Sequence, residues 1–373
     1  MQFRVPYTVY NCWSGLPPNR FPPQRGHLAF TDREFARALL LTGRHHALDA
    51  VRSDPLGEWE YRHKVGFTRA YFESVASSHS TPLALRLTTQ TDLLDPTEKG
   101  YLSYSIGQAL TGIFRQNILS IPRMLHFDLY NEDYHLQVKP SGRRPDLFSR
   151  TQDRRNRTQD RLVIAEAKGR TTDSPAAVER VGRDTIQQLS SVQVVRKSPP
   201  LALRELRCMP KTVRSQLIGC VAMVSPSKNT VSLHVFDHGS VNLKAPKLSS
   251  QRFEGVRTPL DYRYVTMDRF VLDFYSAIVG LIEHVDQESY VENGMVKVNL
   301  IGMGITVGLL ERIYRTIMSI RELMSGAVDE FAYHEPLGLT EEVALILRGA
   351  ELERAGMFPD GTFFETEWFD DID

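Results

Sequence analysis

The stretch "RLVIAEAKGR", residues 161–170, restricts the fold more than any other part of the chain. Leu162, Val163, Ile164 and Ala165 are apolar at every position rather than at alternate ones, and a short run without a polar face belongs in a strand covered on both sides. A sheet with such a strand at its centre needs helices against both faces, so an α/β class is expected. Glu166 and Lys168 follow where the run stops, one residue apart. Alternation along a strand sends both to the same face, with the small Ala165 and Ala167 behind them.

The neighbouring segments supply the rest of such a sheet. "EKGYLSYSIGQALTGIFRQNIL" repeats Leu102, Ile106, Leu110, Ile113, Phe114 and Ile118 at intervals of three and four, which predicts an amphipathic helix ended by Pro122. "RMLHFDLY" and "RRPDLFS" read as strands before the central one. A helix is expected from Pro175 with Val178, Val181, Ile186, Leu189 and Val192 on one face. "SQLIGCVAMVS" and "TVSLHVFD" then give two strands around a Pro-Ser-Lys-Asn turn. The order is helix, strand, strand, strand, helix, strand, strand, and it bounds a core of residues 96–240.

Residues 1–95 read as an N-terminal extension of mixed structure with two helical patterns, "DREFARALLLTGRHHALDAV" behind a Thr31 cap and "EWEYRHKVGFTRAYFESVASS". Residues 241–362 read as a C-terminal helical region, including "IGMGITVGLLERIYRTIMSIRELMSG" as one helix, and 363–373 as a mobile acidic tail. Those C-terminal helices are the expected surface for a target, a second copy of the chain or a partner protein.

Charge excludes a globally driven encounter with a polyanion, because 45 basic residues balance 45 acidic ones. Any such partner must be held by a local patch, and residues 142–171 offer one, with nine basic residues against four acids. Three widely separated cysteines, Cys12, Cys208 and Cys220, fit neither a disulfide framework nor a zinc site built on closely spaced pairs. No secretory signal is read at the N-terminus, and the most apolar later stretch, residues 298–310, is shorter than the roughly 20 residues a membrane-spanning helix needs. A cytoplasmic protein without a membrane partner is expected.

The chemistry rests on a second carboxylate. Asp146 follows Pro145 at the edge of a neighbouring strand, from where it can come beside Glu166. Two carboxylates in contact repel and call for a hard divalent cation such as Mg²⁺, whose oxygen ligands they are. An ammonium beside them, Lys168, can orient or help deprotonate a water, or neutralise a phosphate under attack. Of all lysines in the chain, Lys168 alone has an acid two residues before it.

Pro145-Asp146, nineteen intervening residues and then Glu166-Ala167-Lys168 resemble the motif of the PD-(D/E)XK nuclease superfamily, and the order of elements over residues 97–237 resembles its restriction-endonuclease-like fold. The resemblance implies a central mixed sheet flanked by helices and a Mg²⁺-dependent hydrolase of nucleic-acid phosphodiester bonds, with Mn²⁺ as a substitute and DNA favoured over RNA. It implies that Asp146 and Glu166 bind the ion with help from the backbone carbonyl of Ala167, and that Lys168 serves the attacking water. Some branches carry Gln-x-x-x-Tyr on the next helix; here Gln188 is kept and Val192 stands at the Tyr position, so Gln188 joins the catalytic candidates. A helical Glu seen in many members has its nearest counterpart here in Glu98, an additional candidate ligand.

The pentapeptide RTQDR occurs twice, at 150–154 and 157–161, between the two motif halves. It reads either as a solvated loop or as a basic flap on phosphates, and Arg143, Arg144, Arg154, Arg155 and Arg170 are the nucleic-acid contact candidates. His45, His46 and His63 read as surface or partly packed residues, and "GMGITVG" as helix packing rather than a dinucleotide loop. The restriction, repair and anti-phage roles share this chemistry, and a core wrapped in large flanks suggests an effector of a bacterial defence or restriction system. The alternative from another class is an idle nucleic-acid-binding or assembly module that keeps the fold.

Overall fold

The computed structural model describes residues 2–12, 24–42, 63, 66–68, 70–75, 83–121, 123–130, 136–138, 142–152, 160–172, 174–194, 212–225, 230–244, 259–284, 289–300, 305–326, 338–350 and 357–366. The central strand is where the apolar run places it. β8 (Asp160–Arg170) lies inside a nine-stranded mixed sheet, with Leu162 through Ala165 fully buried. It pairs antiparallel with β7 (Leu147–Gln152) and parallel with β10 (Thr212–Ser225). β5 (Leu125–His126) ends the sheet beyond β7, the rest of the strand expected over "RMLHFDLY" being the short helix α3 (Phe127–Tyr130). β6 (Leu136–Val138) and β9 (Val192–Val194) pair apart from the sheet, and β11 (Thr230–Lys244) runs antiparallel to β10 on the other side.

Helices cover both faces. α2 (Pro96–Asn117), with Pro96 in its first turn behind the Asp95 cap, lies against β8 and β10 on one face. The approach is close: a Cβ on Gly169 would lie 1.7 Å from the Ser103 carbonyl oxygen, so only glycine fits there. α4 (Pro175–Leu189), capped by Ser174, covers the opposite face. It steps across the strands rather than along them. Gly182 sits on Phe236 of β11, Thr185 on Gly219 of β10, and Gln188 reaches Glu166 of β8. Phe236, Gly219 and Glu166 are register partners in one row. Three residues advance a helix by about 4.5 Å, close to the spacing of about 4.8 Å between strands, so each turn of α4 meets the next strand.

The sheet also takes strands from before residue 96. β1 (Gln2–Asn11) joins the same sheet: Tyr7 to Asn11 pair in parallel with β11, Phe3 and Arg4 with β4 (Leu83–Leu87), and its other edge is taken by β2 (Gln24–Thr31). β3 (Phe72–Val75) pairs with β4, so the second helical pattern ends in a strand. The first does form a helix, α1 (Asp32–Leu41), through a capping box between Thr31 and Glu34.

The C-terminal region holds a sheet as well as its helices. After α5 (Pro259–His284) a second sheet follows, made of β12 (Tyr290–Glu292), β13 (Met295–Leu300), β14 (Ile305–Leu310) and β15 (Thr362–Thr366). Asn293 and Gly294 both have positive φ, 52° and 73°, and form the two-residue turn between β12 and β13. "ITVGLL", read as helix, is therefore a strand, and α6 (Glu311–Gly326) begins only after it. α7 (Leu339–Gly349) packs on α5. The expected mobile tail starts as a strand: Phe363 and Phe364 are buried, and residues 367–373 lie outside the described ones. One continuous apolar core runs from Phe3 through Phe114, Phe148 and Phe270 to Phe364. Among the described residues no helix is long and apolar enough to cross a membrane.

Candidate active site

The two halves of the motif meet at one end of the sheet because β7 and β8 are antiparallel. The start of β7 therefore lies beside the end of β8, with Leu147 opposite Ala165. Continuing that register by two would set Ala167 opposite Pro145, which has no N–H to donate, and the ladder stops. Oδ2 of Asp146 takes the orphaned Ala167 N–H instead, at 2.8 Å. A residue in a strand sends its N–H and C=O to the same edge. The Ala167 carbonyl thus leaves β8 on the Asp146 side, where Pro145 can offer it no hydrogen.

Glu166 is 3% exposed, and Gln188 holds it in place. Nε2 of Gln188 donates to Glu166 Oε2 at 2.7 Å and also to the carbonyl of Arg144, while its Oε1 accepts from Lys168 Nζ at 2.8 Å. Lys168 also bridges to Glu166 Oε1. The amide of Gln188 is thereby saturated, and its orientation follows from the network. Of the three hydrogens on the Lys168 ammonium, two are used; the third has no partner among the described residues.

Burial pushes the Asp146 carboxyl above its ordinary range, with the Ala167 N–H and the Lys168 charge pulling the other way. Glu166 is pushed up by burial and then by the charge of Asp146, against the pull of Lys168. The pair is thus short of positive charge even with one ammonium beside it. Three hard oxygen donors, from Asp146, Glu166 and the Ala167 carbonyl, are the kind that Mg²⁺ or Mn²⁺ takes while keeping several waters. Among the described residues no group of three or more His, Cys, Asp or Glu side chains comes together to hold a metal.

Glu98 is elsewhere. Its side chain is exposed and accepts from the N–H of Asp95 at 3.0 Å, the capping box of α2, so the carboxylate starts a helix rather than joining the pair. Arg143, Arg144 and Arg170 are exposed near the motif; Arg144 faces Asp128 at 3.3 Å and contributes its carbonyl to Gln188, and Arg170 folds back on the carbonyl of Gly169. Arg154 and Arg155 lie outside the described residues, between the ends of β7 and β8. The first repeat starts inside β7, where Arg150 is buried, and the second ends in β8; residues 153–159 lie outside the described ones. His63 stacks near Phe67 and Tyr101.

Beside Gln188 opens a polar cleft of about 420 Å³ lined by Gly142, Arg143, Asp184, Gln187, Gln188, Ser190 and Ser191. Ser191 ties its floor together: its single hydroxyl hydrogen is shared between the carbonyls of Gln188 (2.6 Å) and Arg143 (3.0 Å). Asp184, which no motif in the sequence singles out, stands four residues before Gln188 and hence on the same face of the helix. No family model matches the chain, and neither does any curated protein or solved structure.

Proposed function

We propose that the chain is a divalent-metal-dependent nuclease whose core is a restriction-endonuclease-like member of the PD-(D/E)XK superfamily, acting on DNA. The observation that carries this reading is the convergence of Asp146, Glu166, Lys168 and Gln188 at one sheet end, with both carboxyl groups shifted toward their protonated forms. A purely structural pair would gain by pairing each acid with a base. Here two acids share one ammonium.

Asp146, Glu166 and the Ala167 carbonyl would hold Mg²⁺ or Mn²⁺. Such an ion supplies positive charge against a phosphoryl oxygen and lowers the pKa of water. The chain's own groups do the rest. Gln188 fixes the Glu166 carboxylate, and the unused hydrogen of Lys168 is directed at an incoming water or a non-bridging phosphate oxygen, where negative charge grows during attack. Arg144 and Arg170 are exposed cations beside the motif and natural anchors for flanking phosphates. A role in a bacterial defence or restriction system fits such chemistry.

The test incubates the full chain with single- and double-stranded DNA and RNA in Mg²⁺, Mn²⁺ or EDTA, beside Lys168→Ala. Metal-dependent cutting that Lys168→Ala lowers by roughly 100- to 1,000-fold is expected. Binding without any metal-dependent cutting would leave the idle binding module as the reading.

A further inference from the structure

The cleft beside the motif has groups that the proposed hydrolysis does not use. Its floor, Gln188 and Ser191, is buried and hydrogen-bonded internally. Its rim differs: Arg143, Asp184 and Gln187 are exposed, and their side chains have no polar partner among the described residues. A volume of about 420 Å³ lies in the range of roughly 300–1,000 Å³ common for small-ligand pockets. It is too small for a duplex and ample for one nucleotide.

The charge of the rim decides which part of a nucleotide it suits. The rim carries one guanidinium and one carboxylate, and the cleft lies at the C-terminal end of α4, where helix carbonyls carry partial negative charge. A phosphate would meet repulsion from both Asp184 and the helix end. A neutral base with donors on one edge and acceptors on another meets none. Guanine alone among the DNA bases combines acceptors at O6 and N7, which match an arginine fork, with adjacent N1–H and N2–H₂ donors, which match a carboxylate. The N1 and N2 donors are engaged in a Watson–Crick pair, so a carboxylate reaches them only when the base is unpaired.

We infer that this cleft takes one unpaired guanine of the strand being cut, with Arg143 donating to its O6/N7 edge and Asp184 accepting from N1 and N2. The inference rests on the nuclease reading for the position of the scissile phosphate, and it narrows the substrate class to single-stranded or locally opened DNA. Asp184 and Arg143 are specificity residues in this scheme and touch no reacting atom.

The experiment uses the full chain and oligothymidylates carrying one central guanine, hypoxanthine or adenine. Binding is read by fluorescence anisotropy in Ca²⁺, and cleavage is mapped in Mg²⁺. Guanine is expected to bind and to direct cleavage roughly ten- to a hundredfold better than adenine, the worth of one bidentate contact. Hypoxanthine, which lacks the N2 amine, should fall between them, and Asp184→Asn should collapse the guanine-to-adenine ratio toward one. A protein that cuts without base preference, or a ratio that survives Asp184→Asn, overturns the guanine site and leaves the nuclease reading intact. Guanine-selective binding by a protein that cuts no strand in Mg²⁺ or Mn²⁺ overturns the nuclease reading alone.

Discussion

Asp146 accepts the backbone N–H of Ala167 at 2.8 Å across 21 residues of sequence, at the point where Pro145 ends the β7–β8 ladder. The contact fixes the Asp146 carboxylate next to Glu166 whether or not a cation is there, so the chain carries a standing repulsion. Asp146→Asn keeps the shape and an acceptor for Ala167 while removing the charge. The variant is expected to be more stable than wild type in EDTA, by roughly 1–2 kcal/mol in urea unfolding, and to lose metal-dependent cleavage. An Asn variant that is no more stable than wild type and still cuts would show that the two acids do not act as a pair.

Burial of both acids, and at Glu166 the charge of Asp146 besides, sets a pH dependence. In the unfolded chain Asp and Glu titrate near pH 4, whereas both groups have raised pKa values in the folded one. A raised folded pKa means that the native state holds protons the unfolded state has released. Stability from this pair is therefore full below about pH 4 and declines as pH rises through the raised values toward neutrality and beyond. Divalent ions compete with those protons, so the rise in Tm on adding Mg²⁺ or Mn²⁺ should be larger at pH 8 than at pH 5. Equal metal shifts at both pH values would count against ligation by this pair.

Gln188 positions other groups rather than reacting, since its amide is spent on Glu166, Lys168 and the Arg144 carbonyl. Gln188→Ala should reduce cleavage about 10- to 100-fold and weaken the apparent affinity for Mn²⁺ by a similar factor, as loss of an orienting partner does at metal sites. A merely structural role would lower Tm and leave the metal titration midpoint where it was. The two effects separate in a Mn²⁺ titration of activity at a temperature well below unfolding.

How much of this could be read from the chain differed with the physics of each part. Leu162–Ala165 has no polar face, and that alone marked a covered strand; Glu166 and Lys168 then followed by alternation, and Asp146 by the need for a counterpart. β1 was opaque because its parallel partner β11 lies more than 220 residues away, and a local pattern cannot name a distant edge. The hairpin at 290–300 was legible in principle, since Asn293-Gly294 is a strong two-residue turn signal, but the apolar run after it was long enough to pass for a helix. Glu98 misled through residue type: an acid three residues after Asp95 is the mark of a capping box, and the structure uses it so.

Asp360, which follows Pro359, has its role far from the motif. Its carboxylate forms a buried ion pair with Arg37 of α1, and its carbonyl accepts from the Tyr275 hydroxyl of α5 at 2.6 Å. Arg37 also donates to Thr362 at 3.1 Å and lies 4.5 Å over the Phe358 ring. Three distant segments are thus clasped around one guanidinium, and the strand β15 is fastened to the N-terminal helix by it. Asp360→Ala leaves a buried cation without its anion and should cost about 3–5 kcal/mol in urea unfolding. Arg37→Met combined with Asp360→Ala removes both charges, so it should recover a substantial part of that loss. If the double variant is less stable than Asp360→Ala by the full cost of a second independent substitution, the clasp holds through packing on Phe358 and not through the ion pair.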